Sequence, residues 1–117
     1  MAAIAEAKKN SWRMSVAVVN TSGDLVYFDR IDDAAGATTL VAQKKARTAV
    51  LYKRASKSFS EALAKGSTFF LSFPDIIASE GGVPIMADGK IIGAIGSSGG
   101  TGEQDGLVSM AGAALVK

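Results

Sequence analysis

The spacing of apolar and polar positions changes along this chain, and each change of period predicts an element. Ala2 to Asn10 sets Ile4 and Ala7 on one side of a short helix. Met14 to Asn20 is apolar enough for a central strand, and Leu25 to Arg30 alternates as a second. Between them Thr21-Ser22-Gly23-Asp24 is hairpin chemistry, because glycine accepts positive φ. From Ala35 to about Lys53 the period becomes helical, with Ala42, Ala46, Ala49 and Val50 forming one stripe. Small side chains there let the helix backbone lie close to a sheet. Phe59 to Leu63 predicts a short helix ended by Gly66, and Phe69 to Pro74 a buried connection broken at the proline. Val83 to Met86 and Lys90 to Gly96 flank Ala87-Asp88-Gly89, a strong hairpin signal, with Pro84 pointing to an edge strand or a strand start. The last helix runs from about Gly102 to Val116. Thr101 and Gln104 provide its capping box, and Leu107, Ala111, Ala114 and Leu115 its expected buried stripe.

Two hairpins, with helices between them and at the ends, predict an α+β fold in which helices cover an antiparallel sheet. A length of 117 residues fits one domain, spanning 1–117. Apolar residues at 48% and charged residues at 21% are an ordinary globular balance. A net charge of +2 is too small for nucleic-acid binding, so no nucleic-acid partner is expected. Lys44, Lys45, Arg47, Lys53, Arg54 and Lys57 do cluster, and read as a solvated face or an anion-attracting wall. Met1 to Lys9 carries Glu6, Lys8 and Lys9 and lacks the apolar centre of an export signal, so a cytoplasmic location is expected. No run reaches the length of a membrane span, and no membrane partner is expected. The chain has no cysteine and no histidine. That excludes disulfides, thiolate metal sites and imidazole acid–base chemistry, leaving Asp, Glu, Lys, Tyr, Ser, Thr and the backbone.

Chemistry concentrates in Gly93-Ala94-Ile95-Gly96-Ser97-Ser98-Gly99-Gly100-Thr101-Gly102, which follows a strand and opens a helix. Amides at a helix start are unpaired, and glycines let them converge on an anion. The phosphate-binding patterns do not fit: no Lys-Ser/Thr pair follows the last glycine, and the glycine spacing follows a hairpin rather than opening a βαβ unit. Glu103 and Asp105 in the first helical turn already complement the dipole, so a purely structural turn is the competing reading.

The blocks Glu80-Gly81-Gly82-Val83-Pro84-Ile85, Asp88 to Gly96, Ser98-Gly99-Gly100-Thr101 and Glu103-Gln104-Asp105 resemble the signature of the GlcG/HbpS (DUF336, haem-degrading) family. Ser15 to Gly23, Arg30 to Ala34, and Ala42, Lys45, Ala46, Thr48 and Ala49 agree with it. The resemblance implies a profilin-like antiparallel sheet flanked by helices, assembly as a homo-oligomer, and haem binding in part of the family. Asn20 stands where the family commonly has aspartate. Three departures matter. The missing histidine would leave Tyr, Met, Lys, Thr or water to ligate a haem iron. The lack of an export signal means that the secreted sensor role of one member is not expected to transfer, and the N-terminal helix is expected to begin later than in typical members.

The expected ligand-binding set is Arg30, Lys45, Gly81, Gly82, Ser97, Ser98, Gly99, Gly100 and Thr101, with no metal site of the protein's own. Arg30 would clamp a carboxylate or a haem propionate, the alternative being a surface ion pair with Asp32 or Asp33. Lys45 would snorkel at the rim of the helix stripe or point into a pocket. Glu80 and Asp105 are the candidate acid–base carboxylates. Trp12, Phe59, Phe69, Phe70 and Phe73 read as core or subunit interface, Met14, Met86 and Met110 as core, and the tyrosines as packing residues with a polar tip. The expected function is binding of a small molecule or haem rather than catalysis. The alternatives are an accessory subunit without ligand, burying the aromatic segment near Phe69 between copies, and an enzyme acting on a small organic acid.

Overall fold

A computed structural model describes residues 2–114. In chain order the elements are α1 (Ala2–Lys9), β1 (Ser15–Val19), β2 (Leu25–Arg30), α2 (Ala37–Leu51), α3 (Lys57–Ala64), a 3-10 turn (Phe69–Ser72), β3 (Gly82–Ala87), β4 (Lys90–Ser98) and α4 (Gly102–Ala113). The strands form one antiparallel sheet in the order β2-β1-β4-β3. Both predicted hairpins are present, β1 is central, and Pro84 lies on the edge strand β3, where its missing N–H costs no ladder bond.

Alternation along the central strands separates two cores. Val16 and Ile95 pack with Ala3, Ile4, Ala7 and Val108, while Val19 and Ala94 pack with Ala46, Ala49 and Val50. Successive side chains of a strand face opposite ways, so α2 covers one face of the sheet and α1 with α4 the other. The α2 stripe is as expected, and its closeness to the sheet has a specific cause. Gly82 and Gly96 are cross-strand partners facing α2. A Cβ on Gly96 would sit 2.2 Å from the Ala42 carbonyl oxygen, and one on Gly82 would sit 2.1 Å from that of Lys45. No other residue type fits there.

Three expectations are corrected. Leu107 is 44% exposed, while Asp105, Gly106, Val108 and Ser109 form the buried side of α4, so that helix is rotated from its hydrophobic stripe. The position expected at Leu115 lies outside the described residues. The segment after α3 is a 3-10 turn whose Phe70 is buried, but Phe69 is 72% exposed, with Leu71 and Phe73 also outside the core. Met14 is a core residue as expected, whereas Met86 and Met110 are exposed.

Candidate functional site

The glycine-rich turn is built as expected and closed in a way that was not. The Ser97 amide donates to the Gly81 carbonyl at 3.1 Å, continuing the β3–β4 pairing. The Gly100 amide donates to Asp105 Oδ1 at 2.9 Å and the Thr101 amide to Gln104 Oε1 at 3.1 Å. The capping box completes the turn, with the Gln104 amide donating to Thr101 Oγ1 at 3.2 Å. The amides of Ser97, Gly100 and Thr101 are therefore satisfied by the protein itself. Ser98 is the last residue of β4, paired in register with Ser15, and a Cβ on Gly99 would sit 2.3 Å from the Arg13 carbonyl oxygen. The anion-accepting turn expected from the sequence is thus corrected to a structural one.

What the turn encloses is Lys45. Its side chain is 2% exposed, and Nζ donates to Asp105 Oδ2 at 2.8 Å and to the Ser97 carbonyl at 3.1 Å. Gly81 makes room for it: a Cβ there would meet Lys45 Nζ at 2.9 Å and the Ser97 carbonyl oxygen at 2.6 Å, and the φ of 140° also favours glycine. Around this pair, Ser97 Oγ and Ser109 Oγ lie 2.7 Å apart, and Ser109 Oγ donates to the Gly81 carbonyl at 2.7 Å. Lys45 is thus neither at the rim nor in a ligand pocket. Desolvating two opposite charges is tolerated because each is paired and hydrogen-bonded. Asp105 spends both carboxylate oxygens on this arrangement, which takes it out of acid–base chemistry.

The other candidates stand apart from this cluster. Arg30 pairs in register with Ser15, which pairs with Ser98, so it lies two strands, roughly 10 Å, from the turn. Its guanidinium donates to the Ala34 carbonyl, and the surface ion pair on that side is instead Arg13 to Asp33 at 3.0 Å. Glu80 is half-buried across the first turns of α4, where a Cβ on Gly106 would meet its Oε2 at 2.9 Å, and Lys57 approaches to 4.0 Å.

Open space lies elsewhere, in two clefts. One, of about 300 Å³, is lined by Trp12, Thr101, Glu103, Gln104 and Leu107 at the start of α4. The other, of about 410 Å³, is lined by Lys53, Met86, Gly89, Lys90 and Ile91. It lies where the β3–β4 hairpin meets the residues just after α2. Asp88 and Gly89 take the left-handed turn at φ 51° and 76°, which brings Lys90 back beside the strand. Met86 and Ile91 are cross-strand partners and share a face, and Ile91 packs on the α2-side core. Lys53, at φ 54°, directs the chain away just past the end of α2. The result is a floor of Met86 and Ile91 flanked by two ammonium groups. The cleft is not evident from the sequence, where Lys53 belongs to a general basic run and Met86 to the expected core. The only advance signal was the hairpin at Asp88-Gly89, with Met86 and Ile91 at matched distances from it and Lys90 directly after the turn.

Among the described residues no grouping of three or more acidic side chains is placed to hold a metal ion, and no helix is long and apolar enough to cross a membrane. The family model described as haem-degrading protein HbpS-like matches residues 1–114. The chain is 45% identical over 93 residues to the protein GlcG of Escherichia coli K12, across 80% of this chain and 69% of that one. It superposes on a crystal structure of HbpS with a TM-score of 0.90 at 32% identity, across 99% of this chain and 82% of that one. A crystal structure of a PduOC–haem complex superposes with a TM-score of 0.90 at 29% identity, across 99% and 87% of the two chains.

Proposed function

Because the chain belongs to the HbpS-like family, we propose that it is a haem-binding protein, one domain acting as a homo-oligomer, and that haem enters the cleft between Lys53 and the β3–β4 hairpin. The observation that carries this reading is the pairing of an apolar floor, Met86 and Ile91, with two flanking cations, Lys53 and Lys90. Haem presents the complementary features: an apolar macrocycle and two carboxylates at one edge. The cleft at Trp12 has the wrong sign, since Glu103 would repel propionates. The residues present therefore fit the group. Lys53 and Lys90 would hold the propionates, Met86 and Ile91 would contact the ring, and haem itself would supply redox chemistry and gas-ligand binding.

Titration of the purified chain with haemin tests this. A saturable shift of the Soret band is expected, weakened about tenfold or more by the double charge reversal Lys53→Glu, Lys90→Glu, at two ion pairs of up to about 1 kcal/mol each, compounded by repulsion. A titration without a saturable shift, or one indifferent to that double change, would defeat the proposal. A ligand-free accessory subunit is the second reading, favoured by the closed turn around Lys45. An enzyme using Asp105 has no support in the geometry, and Glu80 would act without a histidine or cysteine beside it.

A further inference from the structure

We infer that the Met86 thioether is the side chain that binds the haem iron, and that the cleft consequently takes ferrous haem in preference to ferric haem; this rests on the haem-binding reading above. The chain contains no histidine and no cysteine, which leaves few donors. The two lysines of the cleft offer N–H donors and no lone pair while charged. Tyr52 Oη is engaged at 2.8 Å with the Pro74 carbonyl, and Tyr27 lies on β2, the sheet edge opposite β3. Met14 is fully buried, and Met110 is on α4, against the other face of the sheet. Met86 alone among these lines the basic cleft, and it is 43% exposed, so its sulfur can meet a ligand without unfolding the strand.

Two effects then favour the reduced iron. A thioether is a soft, neutral donor that stabilises iron(II) relative to iron(III), as methionine ligation does in raising haem potentials. The macrocycle core is also neutral with iron(II) and carries one positive charge with iron(III), which Lys53 and Lys90 oppose. Each tenfold preference for the ferrous form raises the potential of bound haem by about 59 mV.

The test is an anaerobic titration of the full chain with ferric haem and with dithionite-reduced haem, comparing wild type, Met86→Leu, Met86→Gln and the control Met110→Leu. Wild type and the control should bind reduced haem about tenfold or more tightly, with the spectrum of a sulfur-ligated low-spin iron. Both position-86 variants should lose that spectrum and the thioether's share of that preference, keeping only what Lys53 and Lys90 supply, while still taking up haem. Wild-type binding with spectra and preference unchanged in Met86→Leu and Met86→Gln would overturn the inference and leave haem binding intact. Failure of wild type to bind either form would instead remove the haem-binding reading, and this inference with it.

Discussion

At the scale of single residues, Lys45 shows what a chain can and cannot declare about itself. Its place in the helix was legible, because it lies among Ala42, Ala46 and Ala49 on the packing side. Its partner was not, since Asp105 follows 60 positions later and reaches it only through the stacking of α2, the sheet and α4. Judged alone, a charge on that face belongs at a rim; judged with its counter-ion, it belongs inside. Lys45→Met should therefore cost about 3–5 kcal/mol, because it strands a buried carboxylate, and Asp105→Asn should also destabilise by leaving the ammonium uncompensated. The double variant should recover part of the loss, and urea unfolding of all four proteins measures the coupling. Arg47 and Asp75 form a second pair at 3.1 Å, both partly exposed. Hydrogen bonding to Arg47 holds the Asp75 carboxyl below its ordinary range, and the same bond raises Arg47. A lowered folded-state value gives stability that is complete above the ordinary carboxylate range and is lost as pH falls through the lowered value. Asp75→Asn should accordingly flatten the acid limb of the melting temperature against pH while leaving the slope near neutrality unchanged.

At the scale of elements, local rules succeeded where the element's own residues decide its conformation. The hairpins, the α2 stripe and the capping box of α4 are all determined within a few residues of chain. They failed for the orientation of α4, because its inward side carries Asp105 and Ser109 as well as Val108. Hydrophobic periodicity cannot find a face whose buried groups are polar and satisfied by distant partners. The cap of that helix is nonetheless a local device, and its loss has a local magnitude. Thr101→Ala removes the oxygen that accepts from the Gln104 amide and should cost about 1 kcal/mol, whereas Thr101→Ser should retain most of the stability. Thermal melts of the two variants check this. A cost well above that value would show that the cap also keeps Asp105 aligned with Lys45.

At the scale of the whole molecule, the fold class was readable because two hairpins interleaved with helices leave few alternatives, while the candidate site was not. The glycine signature that invited a ligand serves to admit Lys45 and the α2 backbone. The open basic cleft arises from elements distant in sequence. The same scale governs assembly. Phe69 and Phe73 contact each other at 5.8 Å between ring centres, and they join the buried Phe70 and Phe59 and the half-buried Tyr52 in one aromatic network that reaches the surface. Arg54, Lys57 and Lys65 outnumber the single carboxylate of α3, Glu61, so two copies meeting through this surface would bring a net positive rim together. Apolar contact would favour association and the cationic rim would oppose it, which makes the outcome dependent on ionic strength. If the homo-oligomer of the proposed function uses this surface, Phe69→Ser with Phe73→Ser should lower the mass found by light scattering. Wild type should associate more strongly as salt rises and screens the rim. A mass indifferent to both the substitutions and the salt would move the contact between copies elsewhere, to a surface such as the exposed Leu25, Val26 and Tyr27 of the edge strand β2.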